Sequence, residues 1–118
     1  MDSRRKLGRA GEDMALNYLK SVGMQLLERN YRCRLGEIDL VMVDRGQLVF
    51  VEVRTKSSKT FGTGLESITS RKRRKLKTLA RYYMMYTGLK NDNIRFDVVS
   101  IEMPYQGIPS LEHVRAAF

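Results

Sequence analysis

The sequence has few of the residues that several classes of protein require. Its single cysteine, Cys33, excludes an intramolecular disulfide and a cysteine-cluster metal site, so we expect a reducing compartment. Because His113 is the single histidine, a zinc site or a histidine base would lack the partner residues that it needs. We predict that His113 is an ordinary strand residue. Only two prolines occur, Pro104 and Pro109, and no proline-rich linker divides the chain. We therefore expect one domain, residues 1–118.

Long apolar runs are also absent. The longest stretch without a charged residue, Met103 to Leu111, is nine residues long and too short to cross a bilayer. The basic start, Arg4 to Lys6, is not followed by the apolar segment of a signal peptide. We accordingly expect a cytoplasmic protein with no membrane association. No phosphate-loop pattern supports ATP use.

Positive charge is abundant. The 118 residues carry a formal charge of +9, and 42% hydrophobic with 30% charged residues is a globular composition. Seven basic residues and no acidic residue lie between Arg71 and Arg81, namely Arg71, Lys72, Arg73, Arg74, Lys75, Lys77 and Arg81. An unmixed run of this kind favours contact with nucleic-acid phosphates. A solvated face, an acidic protein partner and a membrane surface are the alternatives.

Further basic residues extend this predicted phosphate-binding surface. They are Arg4, Arg5, Lys6, Arg9, Lys56 and Lys59. Tyrosines at the end of the basic helix, Tyr82, Tyr83 and Tyr86, are predicted to pack against the protein rather than to stack on bases.

Hydrophobic periodicity predicts an α/β protein. An apolar stripe with helical spacing runs through Leu7, Ala10, Met14, Ala15, Tyr18, Leu19 and Val22, and Gly23 follows it. A second stripe comprises Ile68, Leu76, Leu79, Ala80 and Tyr83, with Gly88 as the cap. The predicted helices are 7–22 and 65–87, the predicted strands are 25–31, 37–43, 47–55, 94–101 and 111–116, and 56–64 is a predicted mobile loop. The order is α-β-β-β-α-β-β around a mixed sheet.

The hairpin formed by the second and third strands carries the informative acidic residues. A two-residue turn at Arg45-Gly46 would place Asp39 opposite Glu52, and Glu37 opposite Arg54. A three-residue turn with a bulge at Gly46 would instead send Asp39 and Glu52 to opposite faces. The site hypothesis depends on which register forms.

Two carboxylates side by side in an apolar hairpin need compensation. Like charges opposite each other are destabilising, and a divalent cation would resolve the repulsion. Mg²⁺ takes oxygen ligands and needs few carboxylates, so Asp39, Glu52 and the carbonyl of Val53 would suffice. The alternative is a surface ion pair between Glu52 and Arg54 with Asp39 beside it.

The same hairpin resembles a known family. Gly36-Glu37-Ile38-Asp39-Leu40-Val41 and Val49-Phe50-Val51-Glu52-Val53-Arg54, with Gly8-Arg9-Ala10-Gly11-Glu12-Asp13-Met14-Ala15, look like the YraN-like family of small predicted endonucleases. That family resembles PD-(D/E)XK nucleases and archaeal Holliday-junction resolvases. The resemblance implies a restriction-endonuclease-like three-layer fold and Mg²⁺- or Mn²⁺-dependent hydrolysis of DNA, with branched DNA among the expected substrates. It also implies a symmetric homodimer.

The resemblance also suggests residue roles. Asp39 and Glu52 would be metal ligands, Arg54 would assist the attacking water, and Glu12 and Glu37 would be auxiliary. The nuclease pattern has lysine where this chain has Arg54, and a guanidinium stays protonated and cannot act as a general base. The alternative function is therefore a non-catalytic nucleic-acid-binding protein that keeps the nuclease fold.

Overall fold

A computed structural model of the chain describes residues 3–57, 68–90 and 92–118. The predicted order of elements is confirmed. The elements are α1 (Ser3–Ser21), β1 (Gln25–Cys33), β2 (Gly36–Asp44), β3 (Gln47–Lys56), α2 (Ser70–Thr87), β4 (Ile94–Glu102) and β5 (Ser110–Val114). From residue 58 onward, the predicted loop lies outside the described residues. None of the helices in the described part is long and apolar enough to cross a membrane.

The ends of α2 follow from local side-chain and backbone chemistry. The helix begins at Ser70, later than the predicted position 65, because the Thr69 hydroxyl accepts a hydrogen bond from the Lys72 N–H and caps the first turn. It ends at Gly88, whose φ of 72° gives the left-handed cap that was predicted.

The five strands form one mixed sheet in the order β1-β2-β3-β4-β5. Only β3 and β4 are parallel, and α2 lies in the long connection that a parallel pair requires. On one face, α1 packs through Ala15 and Leu19, and on the other α2 packs through Leu76 and Leu79. The fold is thus three layers, with β2 and β3 buried on both sides.

The stripe predicted for α1 is partly wrong. Ala10 is exposed and Val22 is 40% exposed, whereas Leu16, outside the stripe, is buried. Val22 follows the last residue of the helix, Ser21, and Leu16 is buried beside Ala15.

The hairpin turn has the even-numbered register. Arg45 and Gly46 have φ values of 52° and 81°, which identify a two-residue turn of type I′, and Val43 pairs with Leu48. The bulged alternative is therefore wrong. The ladder of paired residues ends at Leu40 and Val51, however, so neither predicted strand pair, Asp39 with Glu52 or Glu37 with Arg54, forms.

A buried ionic cluster ties β5 to the sheet. Asp97 is fully buried and accepts hydrogen bonds from Arg95, from His113 and from the Ala116 N–H. Burial alone would raise the pKa of Asp97, but these hydrogen bonds lower it below its ordinary value. His113 is a β5 residue as predicted, with its ring edge-on to Tyr18 at 5.5 Å.

Gly11 sets the distance between α1 and β3. A Cβ at this position would overlap the Thr55 side chain. We predict that Gly11→Ala lowers the free energy of unfolding by about 1–3 kcal/mol because it overfills this contact. Denaturant unfolding would measure the change.

Gly8→Ala is the matched control, because a Cβ at Gly8 meets no atom within 4 Å. It should stabilise the helix slightly. A Gly11→Ala protein as stable as the wild type would contradict the close approach.

Candidate functional site

The candidate site lies where β2 and β3 separate. Beyond Leu40 and Val51 the backbones no longer pair, and a carboxylate oxygen of Asp39 accepts the Val53 N–H at 2.8 Å. The N–H and C=O of one strand residue point to the same neighbouring strand, so the Val53 carbonyl lies on the Asp39 side of β3. The side chain of Asp39 thus replaces a backbone partner.

An interruption in β1 and β2 orients the site. Asn30 has φ of 56°, a left-handed conformation that asparagine tolerates. Across this point the alternation of side chains shifts, because Ile38 packs beneath α2 whereas Leu40, two residues on, packs beneath α1. Asp39 lies at the interruption, between these two residues.

Three carboxylates converge on the α1 side. Ligand oxygens of Glu12, Glu37 and Asp39 lie within 4.8 Å of one another. The Asn30 amide, with its nitrogen turned to these acids, donates to Glu12 at 3.1 Å and to Glu37 at 2.7 Å. Glu12 and Glu37, predicted as auxiliary residues, are therefore close neighbours of Asp39. We call Glu12, Glu37 and Asp39 the carboxylate cluster.

Glu52 approaches Asp39 from the other side, outside this group of three. It is 5% exposed and shares a hydrogen bond with Asp39. The pKa of Asp39 is raised from 3.8 to about 8, first by burial and then by the charge of Glu52, while the hydrogen bond from the Val53 N–H opposes the rise. Asp39 therefore holds a proton at neutral pH when no cation offsets its neighbours.

Two cations meet one oxygen of Glu52. Nη1 of Arg54 lies 3.7 Å from Oε2, and Nζ of Lys72 lies 3.5 Å from the same atom. Glu52 and Arg54 share a strand face, as the alternation predicted, and Lys72 reaches them from the first turn of α2. The basic helix and the predicted acidic site are therefore in contact.

Arginines of β1 balance the carboxylates on the α1 side. Arg29 lies 3.4 Å from Glu12 and 2.7 Å from Asp13, and Arg32 lies 2.9 Å from Glu37. The pairing of Glu37 with Arg32 replaces the predicted pairing with Arg54.

The basic helix presents most of its charge to solvent. Arg71, Arg74, Lys75, Lys77 and Arg81 are exposed. Arg73 is different, because its Nε donates to the Ile68 carbonyl at 3.2 Å and its guanidinium lies 5.6 Å from the centre of the Phe118 ring.

The tyrosines of α2 divide into two groups. Tyr83 is buried, and the ring of Tyr86, which is 72% exposed, lies 5.9 Å from the Tyr31 ring, so these two pack against the protein as predicted. Tyr82 is 41% exposed.

The other predicted phosphate-binding residues are dispersed. Lys56 ends β3 and is half-buried, and Arg9 is exposed on α1, close to the carboxylate cluster. Lys59 lies outside the described residues. The α1 surface around Arg9 is on the opposite side of the sheet from α2.

The donor set at Asp39 fits a hard divalent cation. The carboxylate cluster and Glu52 offer carboxylate oxygens, and the Val53 carbonyl adds another oxygen on the Asp39 side of β3. Mg²⁺ and Mn²⁺ prefer such ligands, whereas softer metals prefer nitrogen or sulfur. Protonation of Asp39 in the free chain is the expected result when like charges lack a cation.

Asn30, Arg29 and Lys72 were not predicted as members of this site. The only signal for Asn30 is the imperfect alternation of β1, which is compatible with an interrupted strand but does not locate the interruption. Lys72 was predicted to bind phosphate generally, and its contact with Glu52 depends on how α2 packs.

Comparison with known proteins identifies relatives along the chain. The model of a family described as "Uncharacterised protein family UPF0102", which corresponds to the YraN-like resemblance, matches residues 11–101. A UPF0102 protein of Moorella thermoacetica is 46% identical over 117 residues, covering 98% of each chain. One of Pelotomaculum thermopropionicum is 44% identical over 118 residues, covering 99% of this chain and 98% of the relative. One of Legionella pneumophila is 50% identical over 96 residues, covering 80% and 81%.

The raised pKa of Asp39 gives a prediction about stability. The folded chain holds this proton more tightly than the unfolded chain, so stability falls as pH rises from about 4 towards 8. Asp39→Asn removes the titrating group and keeps an acceptor for the Val53 N–H. In EDTA, we expect its gain in unfolding free energy over the wild type to be larger at pH 8 than at pH 5 by at least about 1 kcal/mol.

Denaturant unfolding across this pH range measures the difference, and Asp92→Asn, at an exposed position, is the control. A difference between Asp39→Asn and the wild type that stays constant with pH would contradict the raised pKa.

Proposed function

We propose that this chain, which belongs to the uncharacterised protein family UPF0102, is a metal-dependent DNA endonuclease. The observation that carries the proposal is the position of Asp39, a carboxyl with a raised pKa that lies at the open end of a buried hairpin, in the carboxylate cluster and in contact with Glu52. This position adjoins the basic helix α2 through Lys72. Acidic ligands beside a phosphate-binding surface are what phosphodiester hydrolysis needs.

The proposed ligands are Asp39, Glu52 and the Val53 carbonyl, with Glu12 and Glu37 as further carboxylates. When bound, Mg²⁺ or Mn²⁺ would activate water and neutralise charge that develops on the phosphate. Asp39 must lose its proton to act as a ligand. The Val53 N–H holds one of its oxygens in place throughout.

Arg54 and Lys72 are the proposed phosphate contacts at the reacting centre. Arg54 stays protonated, so its role is to orient the water and hold the phosphate rather than to remove a proton. Lys72 adds a second positive charge at the same oxygen of Glu52. Together they would offset the negative charge of the carboxylates when a phosphate approaches.

The exposed cations of α2 would position the substrate. Contacts to backbone phosphates supply affinity without reading sequence, which suits a structure-selective enzyme. A homodimer would present two such sites related by two-fold symmetry, and branched DNA has matching symmetry. Because the proposed substrate is DNA, the proposed location is the cytoplasm.

A second candidate function is binding to nucleic acid without cleavage. The contacts of Glu52 with Arg54 and Lys72 favour it, because these cations already compensate the buried carboxylate. In that case α2 would bind DNA in the absence of a metal.

We predict that the wild type nicks branched DNA in Mn²⁺, and that Asp39→Asn and Glu52→Gln each lower the rate by at least about 100-fold through loss of a ligand. Nicking of labelled branched and linear duplexes would measure this. Asp92→Asn, at an exposed position outside the site, is the control and should cleave normally. Cleavage that survives both substitutions would contradict the ligand assignment, and metal-independent binding without cleavage would support the second candidate.

A separate prediction concerns Lys72 and Lys77 on the same helix. Lys72→Gln should lower kcat because Lys72 contacts Glu52, whereas Lys77→Gln, on an exposed residue, should raise KM and leave kcat near the wild-type value. Lys72→Arg, which keeps the charge, should restore part of kcat. Equal effects of Lys72→Gln and Lys77→Gln on kcat and KM would show that Lys72 is only a general DNA contact.

A further inference from the structure

Two glycines of α1, three positions apart, have different surroundings. Gly11 is required by the close approach of the helix to Thr55. Gly8 has no such requirement, because a Cβ there would meet open space, and its backbone is helical. Glycine inside a helix is destabilising relative to alanine, so packing and helix propensity both disfavour it here. A ligand that approaches the helix backbone would account for it.

Gly8 opens onto a cavity beside the carboxylate cluster. The cavity has a volume of about 570 Å³ and lies between α1 and the strands β1 and β2. Glu12 and Glu37 contribute to its wall, and Arg5 and Arg9 flank Gly8 on the helix. Ligand cavities commonly have volumes of about 300–1,000 Å³.

The arginines around this cavity differ in their partners. Arg29 and Arg32 are compensated by Glu12, Asp13 and Glu37. Arg5 and Arg9 are exposed, and no ion pair joins either of them to another residue in ranges 3–57, 68–90 and 92–118. They lie one helical turn apart, on either side of the glycine. The cavity therefore combines two exposed guanidinium groups, unpaired within the described residues, with an open stretch of backbone.

We propose that this cavity binds a backbone phosphate of the nucleic-acid strand whose neighbouring phosphate lies at Asp39. The identity of the strand rests on the proposed function. Guanidinium groups bind phosphate through paired hydrogen bonds, and Gly8 lets the sugar-phosphate backbone approach the helix. In this proposal the strand extends from Lys72 on the α2 side, past the point where β2 and β3 separate, to Arg9 on the α1 side.

The test measures DNA binding in EDTA, where binding is separated from metal-dependent cleavage. Fluorescence anisotropy of a labelled oligodeoxynucleotide would compare Gly8→Leu with Asn17→Leu, which places the same side chain at an exposed position on the opposite side of α1. We expect Gly8→Leu to weaken binding at least about fivefold while its Tm rises, since leucine is a better helix former. Asn17→Leu should leave binding unchanged.

A variant that lacks both arginines tests the same cavity. Arg5→Gln with Arg9→Gln should weaken binding about tenfold and make the salt dependence shallower by about two phosphate contacts. Lys20→Gln, on the exposed last turn of α1, is the control for loss of charge. Inorganic phosphate and a mononucleotide, added as competitors, should displace the oligonucleotide only at far higher concentrations.

Normal binding by both Gly8→Leu and the double arginine variant would overturn the inference, even if the wild type cleaves DNA. Competition by inorganic phosphate at concentrations similar to those of the oligonucleotide would overturn the assignment to a strand. Weakened binding by these variants supports the inference even if no cleavage is found, in which case only the proposed endonuclease fails.

Discussion

The hydrogen bond from the Val53 N–H to Asp39 is the constraint on which the rest of the site depends. In a continued antiparallel ladder, the backbone of β2 would accept this N–H and the strands would stay closed. Because a side chain accepts it instead, the hairpin opens beyond Leu40 and Val51 without leaving a buried donor unsatisfied. The hydrogen bond gives Asp39 a fixed orientation, while Glu37 accepts a hydrogen bond from Arg32 of the neighbouring strand β1. This hydrogen bond therefore lies where the paired part of the hairpin ends and the acidic site begins.

The open hairpin brings several partly buried carboxylates together, and cations on the surrounding elements reduce the repulsion between them. Arg29 and Arg32 compensate the carboxylates beneath α1, while Arg54 and Lys72 compensate Glu52 on the side of α2. Asp39, which no described cation contacts, keeps its proton instead. The chain therefore folds with these carboxylates in place, and two of the compensating cations, Arg54 and Lys72, are the proposed phosphate contacts.

The sequence predicted the elements that depend on periodicity, and its failures involve contacts between layers. The order of elements and the cap at Gly88 follow from local patterns, whereas the sequence at Arg45-Gly46 left two registers open, of which the even-numbered one forms. The pairing of Glu37 with Arg54 failed because alternation assumes an uninterrupted ladder. The left-handed Asn30 and the contact of Lys72 with Glu52 depend on twist and helix packing, which periodicity does not encode.

Helix α1 has to lie close to the sheet and also leave the carboxylates open to solvent. Glu12 reaches Asp39 only if α1 lies close to β3, and Gly11 permits that approach by leaving room for Thr55. The same helix also has to leave the carboxylates accessible from solvent. Gly8, one turn before Gly11, has no side chain and therefore does not narrow the cavity. Both glycines reduce helix stability, which the buried contacts of Ala15 and Leu19 with the sheet offset further along. The first half of α1 therefore forms the site, and the second half holds the helix to the sheet.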